Sequence, residues 1–139
     1  MKLGTAIALA AIGYEHIKDK SGEPYFLHCQ YVANLIHTPV QKVCAYLHDV
    51  IEDEIYTWEE LRNKGLTLEE GEVLTYLTHK KGEKYESYIE RVALHPDAVI
   101  IKRADLRHNS DITRLKGISK IDLDRISKYN KAFNYLKGL

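Results

Sequence analysis

The chain has 139 residues and equal numbers of basic and acidic side chains, 20 of each. This length fits one domain, residues 1–139, and allows a buried core without disulfides or a structural metal. The lack of net charge gives no support for general binding to nucleic-acid polymers or membranes, although a small anionic substrate needs only a local basic patch. Cys29 and Cys44 form no CxxC pair, so we interpret them as reduced core residues of a cytoplasmic protein.

An alanine-rich apolar segment begins at Leu3 and extends to about Lys18. A signal peptide is an alternative interpretation. The segment is short, however, and it continues through Gly13 and Tyr14 without a clear cleavage site, which favours a first helix. We expect this helix to end before the turn sequence Ser21-Gly22-Glu23-Pro24. No apolar run is long enough to span a bilayer.

Seven further helices are indicated by apolar periodicity and by N-terminal caps. Thr38 precedes a proline in the pattern of an N-cap, and Thr57 and Thr67 each open a capping box. Together with the first helix, these segments predict an all-α bundle of about eight helices with no β-strand. The predicted segments are 25–36, 39–51, 57–65, 67–79, 83–94, 95–109 and 119–137.

Polar side chains interrupt an apolar run near the end of the third predicted helix. His48 and Asp49 are followed by Glu52 and Asp53. Residues four apart lie one above the other on a helix, so a continuous helix would place all four on one side. An imidazole and three carboxylates suit a divalent cation and a general base, and burying them for structural reasons alone would be costly.

Three further segments extend this pattern: Lys20 to His28, Leu74 to Ile89, and Ile101 to Asn109. With His48-Asp49 they form an ordered H…HD-x-x-ED…K-x-A-D-x-x-x-N series that follows K-S-G-E-P-Y. Over about residues 3 to 137 the chain thus resembles the HD-domain phosphohydrolases. Within them it is similar to the alarmone-hydrolase branch, which comprises the hydrolase domain of Rel/SpoT enzymes and the small alarmone hydrolases. The resemblance implies a single HD-domain helical bundle.

The resemblance also implies a metal site. In the family, a histidine, the HD pair and a later aspartate bind one divalent metal ion, usually manganese, and the matching positions are His28, His48, Asp49 and Asp105. Mixed imidazole and carboxylate ligands suit Mn²⁺ and leave positions open for water and a phosphate oxygen. Taken alone, His28 would be interpreted as a core histidine, and its place in the ordered series reverses that interpretation.

The family's ED pair falls on Glu52 and Asp53, which by similarity position and deprotonate the attacking water. The alternative for this pair is a solvated helix end. By similarity, Lys20 and Ser21 approach the phosphate or the base, although both also suit an ordinary loop. Asn109 matches the family's asparagine and otherwise caps its helix.

Basic residues near Asp105 are a further candidate substrate site. We include Lys102 among the substrate-binding residues, although Lys102, Arg103 and Arg107 are more often ion-paired surface groups. Arg107 stands where the family has leucine, and with Arg103 it forms either a phosphate clamp or ion pairs. Asp19 departs from the family's Arg-Lys pattern, and the upstream A-H-x-G-Q pattern is missing.

The expected function is hydrolysis of the 3′-pyrophosphate of guanosine tetra- and pentaphosphate, with a small-molecule nucleotide as the partner and the oligomeric state left open. One alternative is a phosphohydrolase for another nucleotide or a phosphomonoester, as Asp19 and Arg107 suggest. Another is a non-catalytic nucleotide sensor, against which the Glu52-Asp53 pair argues. His79 and His95 sit in no second-metal motif, so we expect a single ion.

Overall fold

The structure, a computed structural model, describes residues 1–139 and confirms the all-α architecture, with no β-strand. A short 3₁₀ helix, Ile112–Arg114, precedes the last α-helix. No helix combines the length and the apolar character that crossing a bilayer requires. The helices are α1 Leu3–Gly13, α2 Tyr25–Asn34, α3 Pro39–Leu47, α4 Trp58–Asn63, α5 Leu68–Leu77, α6 Tyr85–Val92, α7 Pro96–Asn109 and α8 Lys120–Lys137.

Helix α3 lies at the centre of the bundle and packs against α1, α2, α5 and α7. Its last five residues, Val43 to Leu47, are all buried. Helix α7 contacts α2, α3, α5, α6 and α8. Gln41 Nε2 near the start of α3 donates a hydrogen bond of 2.6 Å to Asp97 Oδ1 of α7. The helices that lead to His48 and Asp105 are therefore held on several sides.

Local capping explains where several helices begin. Thr38 accepts a hydrogen bond from the Gln41 amide, and Thr57 and Thr67 form the predicted capping boxes. Ser119 forms a third box with Asp122. Such caps satisfy backbone amides that have no partner within the helix.

The predicted end of α3 is wrong. The helix ends at Leu47, His48 is its C-cap, and residues 49–54 form successive turns. The prediction that His48, Asp49, Glu52 and Asp53 share one helix is therefore also wrong. The Val50 carbonyl accepts hydrogen bonds from the amides of residues 55 and 56, which folds the chain back on itself.

Two further features set the shape of this region. Glu54 has a φ of 57° and lies in the left-handed region, where the chain reverses. Helix α1 ends at Gly13 and not near Lys18, so residues 14–24 form a loop beside the turns. An isolated antiparallel bridge between Lys18 and Pro24 closes that loop.

Candidate metal centre and cleft

The four predicted metal ligands come from three parts of the bundle and meet in its interior. His28 lies in α2, His48 and Asp49 follow α3, and Asp105 lies in α7. Their candidate ligand atoms all lie within 4.8 Å of one another. His28, His48 and Asp105 are buried, whereas the Asp49 side chain is partly accessible. This group can hold a metal ion.

The spacing of the donor atoms fits the first shell of a small divalent ion. Nε2 of His28 and Nε2 of His48 lie 2.8 and 3.2 Å from Asp105 Oδ1. His48 Nε2 also lies 3.0 Å from Asp49 Oδ2. Adjacent octahedral ligands at about 2.1 Å from an ion are separated by about 3 Å. Two imidazoles and two carboxylates are also a common donor set for divalent metals.

Contacts on the opposite ring nitrogens orient both histidines. His48 Nδ1 donates a hydrogen bond of 2.6 Å to the Ala45 carbonyl. His28 Nδ1 lies 2.8 Å from His108 Nδ1. In both rings Nε2 is thereby directed at Asp105, and such outer contacts commonly orient metal-binding histidines.

Asp105 is held by two residues that the sequence predicts to bind substrate. Its Oδ2 accepts a hydrogen bond of 2.7 Å from Lys102 Nζ, and its Oδ1 accepts one of 3.1 Å from Asn109 Nδ2. Burial opposes the charged carboxylate, but Lys102 and the histidines hold the pKa of Asp105 well below its usual range. Lys102 and Asn109 also line the cleft described below. Both therefore contact a candidate metal ligand and face the cleft.

Two tyrosines whose rings are in contact, at an interplanar angle of 38°, bind the neighbouring carboxylates. The Tyr25 hydroxyl donates to Asp49 Oδ2, and the Tyr14 hydroxyl donates to Asp53 Oδ2 at 2.9 Å. Their ring centroids lie 4.5 Å apart. Burial, followed by the charge of Asp49, raises the pKa of both phenols, so both remain hydrogen-bond donors at neutral pH.

Glu52 and Asp53 lie on the wall of the same site. Glu52 Oε1 accepts a hydrogen bond of 2.9 Å from the His79 amide, while Asp53 is held by Tyr14. Both carboxylates reach solvent but line a concave surface, where reduced hydration penalises their charge. This desolvation, with the charge of Asp49, raises the pKa of Asp53 to about 6. Desolvation also raises the pKa of Glu52. A carboxylate that titrates near neutral pH suits general-base chemistry.

A cleft of about 690 Å³ opens from the metal centre toward α8. This volume falls in the usual range for small-molecule sites. We call the part of the cleft lined by Lys20 from the loop and by Arg125 and Lys128 from α8 its basic end. Burial and the charges of Arg125 and Lys128 lower the pKa of Lys20, which indicates that the three cations lie close together. Arg125 pairs with Asp122 at 2.5 Å, whereas Lys20 and Lys128 have no ion-pair partner.

Asp19 organises the loop that carries Lys20 and Ser21. One carboxylate oxygen of Asp19 accepts hydrogen bonds from the Ser21 amide at 2.9 Å and the Ser21 hydroxyl at 2.6 Å. The other oxygen pairs with Arg114 at 2.6 Å. Asp19 therefore ties the loop to the segment after α7. Ser21 lines the cleft, and its hydroxyl donates its hydrogen bond to Asp19.

Arg103 and Arg107 do not form a clamp in the cleft. The Arg103 guanidinium lies over the Phe133 ring, 5.7 Å from its centroid, and Arg107 is exposed. Neither residue lines the cleft, and neither makes an ion pair. Both alternatives proposed for this arginine pair are therefore unsupported.

The two remaining candidate histidines lie outside the metal-binding group. His79 Nε2 donates a hydrogen bond of 2.6 Å to the Glu83 carbonyl. His95 caps α7, where its side chain accepts a hydrogen bond from the Asp97 amide. His79 lines the cleft and supports Glu52, whereas His95 does not reach the cleft.

The sequence interpretation missed Tyr14, Tyr25 and His108 as parts of the site. Tyr25 and His108 fall within the motif segments, so a signal for them existed. The His108 ring is stacked on Tyr31, with centroids 3.9 Å apart, and burial lowers the pKa of His108 to about 4. The sequence does not indicate a functional role for Tyr14, because the predicted first helix extends past this residue.

No protein-family model matches the chain. The resemblance to HD-domain phosphohydrolases therefore rests on the motif residues themselves.

Proposed function

We propose that the chain is an HD-domain phosphohydrolase that uses one Mn²⁺-like ion and hydrolyses the 3′-pyrophosphate of guanosine tetra- and pentaphosphate. The observation that carries this proposal is the position of Glu52 and Asp53, which line the same cleft as the ligands Asp49 and Asp105. Both carboxylates have raised pKa values. A protein that only sensed a nucleotide would have little need of such groups beside a metal.

The proposed reaction uses these carboxylates as proton acceptors. Asp53, assisted by Glu52, accepts a proton from water as the water oxygen bonds to phosphorus. The bond between phosphorus and the ribose 3′ oxygen breaks, and that oxygen takes up a proton from solvent. When bound, the divalent ion would supply charge stabilisation for the phosphoryl oxygens. The Lys102 ammonium, fixed by Asp105, adds positive charge on the cleft wall.

The basic end of the cleft supports a substrate with more than one phosphate group. Lys20, Arg125 and Lys128 line that end, and bringing three cations together is unfavourable unless an anion offsets them. A simple phosphomonoester bound at the metal would leave Lys20 and Lys128 without an anionic partner. A nucleotide with phosphates at both the 3′ and 5′ positions would contact both ends of the cleft.

A panel of nucleotides with added Mn²⁺ tests the proposal. We expect the purified protein to release pyrophosphate from guanosine tetraphosphate, and we expect Glu52→Ala and Asp53→Ala each to slow that release by about 10²–10⁴-fold, leaving a small residual rate. Turnover of monophosphates alone would contradict the substrate and point to another phosphohydrolase. Binding without turnover at any tested metal would contradict the activity and favour a nucleotide sensor.

A further inference from the structure

Helix α1 packs closely against the turns that carry the two carboxylates. A Cβ atom added to Gly13 would lie 2.5 Å from Ile55 Cγ2, so only glycine allows this approach. The Tyr56 hydroxyl also donates a hydrogen bond of 2.6 Å to the Leu9 carbonyl. The end of α1 is therefore fixed relative to the chain that follows Asp53.

Tyr14 projects from this fixed end of α1 toward Asp53. Tyr14 is only 1% exposed, and its hydroxyl donates to Asp53 Oδ2 at 2.9 Å. No other hydrogen bond involves this hydroxyl. A buried phenol that lacked a partner would be penalised, so the contact with Asp53 is favoured. Because the ring is enclosed, it cannot follow the carboxylate to another rotamer.

The neighbouring phenol, Tyr25, makes a similar hydrogen bond to a different carboxylate. Tyr25, whose ring packs against that of Tyr14, donates to Asp49, which belongs to the candidate metal-binding group. Tyr14 binds Asp53, which lies outside that group. The two tyrosines thus hold the carboxylates of Asp49 and Asp53 in two different places.

We propose that Tyr14 is a positioning residue for Asp53. Its hydroxyl holds the Asp53 carboxylate on the cleft wall, apart from the metal ligands and facing the attacking water. This inference rests on the proposed function. It concerns Tyr14 alone and applies to any phosphoryl substrate that this site hydrolyses.

The substitution Tyr14→Phe keeps the ring and removes the hydroxyl. In the Mn²⁺-loaded protein we expect kcat to fall about tenfold, part of the 10²–10⁴-fold that a general base contributes. We expect KM and Mn²⁺ affinity to change little, and we expect Tm to fall by about 2–5 °C through the loss of one buried hydrogen bond. In an Asp53→Ala background, Tyr14→Phe should cause no further loss of the residual rate. Tyr46→Phe, which removes a hydroxyl from another largely buried tyrosine, is the matched control and should leave kcat unchanged.

A loss of Mn²⁺ affinity that parallels the loss of kcat would overturn the inference, as would a further tenfold loss in the Asp53→Ala background. If the wild-type protein turns over no substrate, the proposed function fails but the contact remains testable. The Tm shifts of Tyr14→Phe and Asp53→Ala, measured without metal, should then be non-additive. Additive shifts would overturn the positioning role.

Discussion

Asp105 joins the candidate metal centre to the interior of the bundle, so its replacement by asparagine should affect both stability and metal binding. Asp105 is 3% exposed, and its Oδ2 lies 2.7 Å from Lys102 Nζ. Removing one partner of a buried ion pair costs about 3–5 kcal/mol. An unfolding entropy of about 2.1 cal/mol/K per residue over 139 residues converts this cost to a fall in Tm of about 10–17 °C. Because Lys102 lines the cleft, we expect the lower end of this range.

Thermal unfolding in EDTA and then with Mn²⁺ separates the two effects. In the wild-type protein, a metal concentration 100 times Kd should stabilise the fold by about 2.7 kcal/mol, or about 9 °C. Asp105→Asn should show a low Tm in EDTA and lose the increase with Mn²⁺. Asp124→Asn, at an exposed position of α8, should behave as wild type. An Asp105→Asn protein that kept its Tm in EDTA, or kept the Mn²⁺ response, would refute the reasoning.

Three further predictions concern packing, pH and substrate selection. Gly13→Ala should destabilise the protein by about 1–3 kcal/mol in denaturant unfolding, because the added Cβ clashes with Ile55. Gly4→Ala on the same helix meets no atom within 4 Å and should be neutral or stabilising. Equal effects of the two substitutions would contradict the close packing at Gly13. Hydrogen bonds from Arg91 lower the pKa of Glu83 to about 2, so its stabilising contribution is complete above its unfolded pKa of about 4.3 and declines as the pH falls toward 2. The Tm difference between wild type and Glu83→Gln should therefore shrink with acidification, and a constant difference would count against the pairing. Lys128→Gln should raise KM for guanosine tetraphosphate about 2- to 5-fold, as expected for the loss of one exposed charge. KM for a simple monophosphate should not change. An equal change in KM for both substrates would argue against a phosphate at the basic end of the cleft.

Local signals explain why so much of the fold could be predicted. Thr57 and Thr67 act within one helical turn, and both capping boxes form as predicted. The segment 95–109, predicted as one helix, is helical from Pro96 to Asn109. An ordered series of motifs predicts the four candidate ligand positions, and the structure brings His28 and Asp105 together across 77 residues of chain.

Features that depend on tertiary contacts could not be predicted in the same way. Helix α3 ends where the Val50 carbonyl binds amides five and six residues later, and no residue type marks that position. The roles of Asp19 and Arg103 also depend on distant partners: Arg114 for the first and Phe133 for the second. The sequence distinguishes a basic residue from an acidic one, but it does not show which way either one faces.

The end of α3 at Leu47 has a chemical consequence for the acidic segment that follows. In a continuous helix, Asp53 would lie one turn from Asp49, about 6 Å along the axis and on the same face. Both carboxylates would then compete for one cation. The turns instead bring Glu52 to the His79 amide and Asp53 to the Tyr14 hydroxyl, while Asp49 faces His48. Because each carboxylate has its own partner, the acidic run is divided: Asp49 lies in the group that could hold a metal ion, whereas Glu52 and Asp53 lie outside that group.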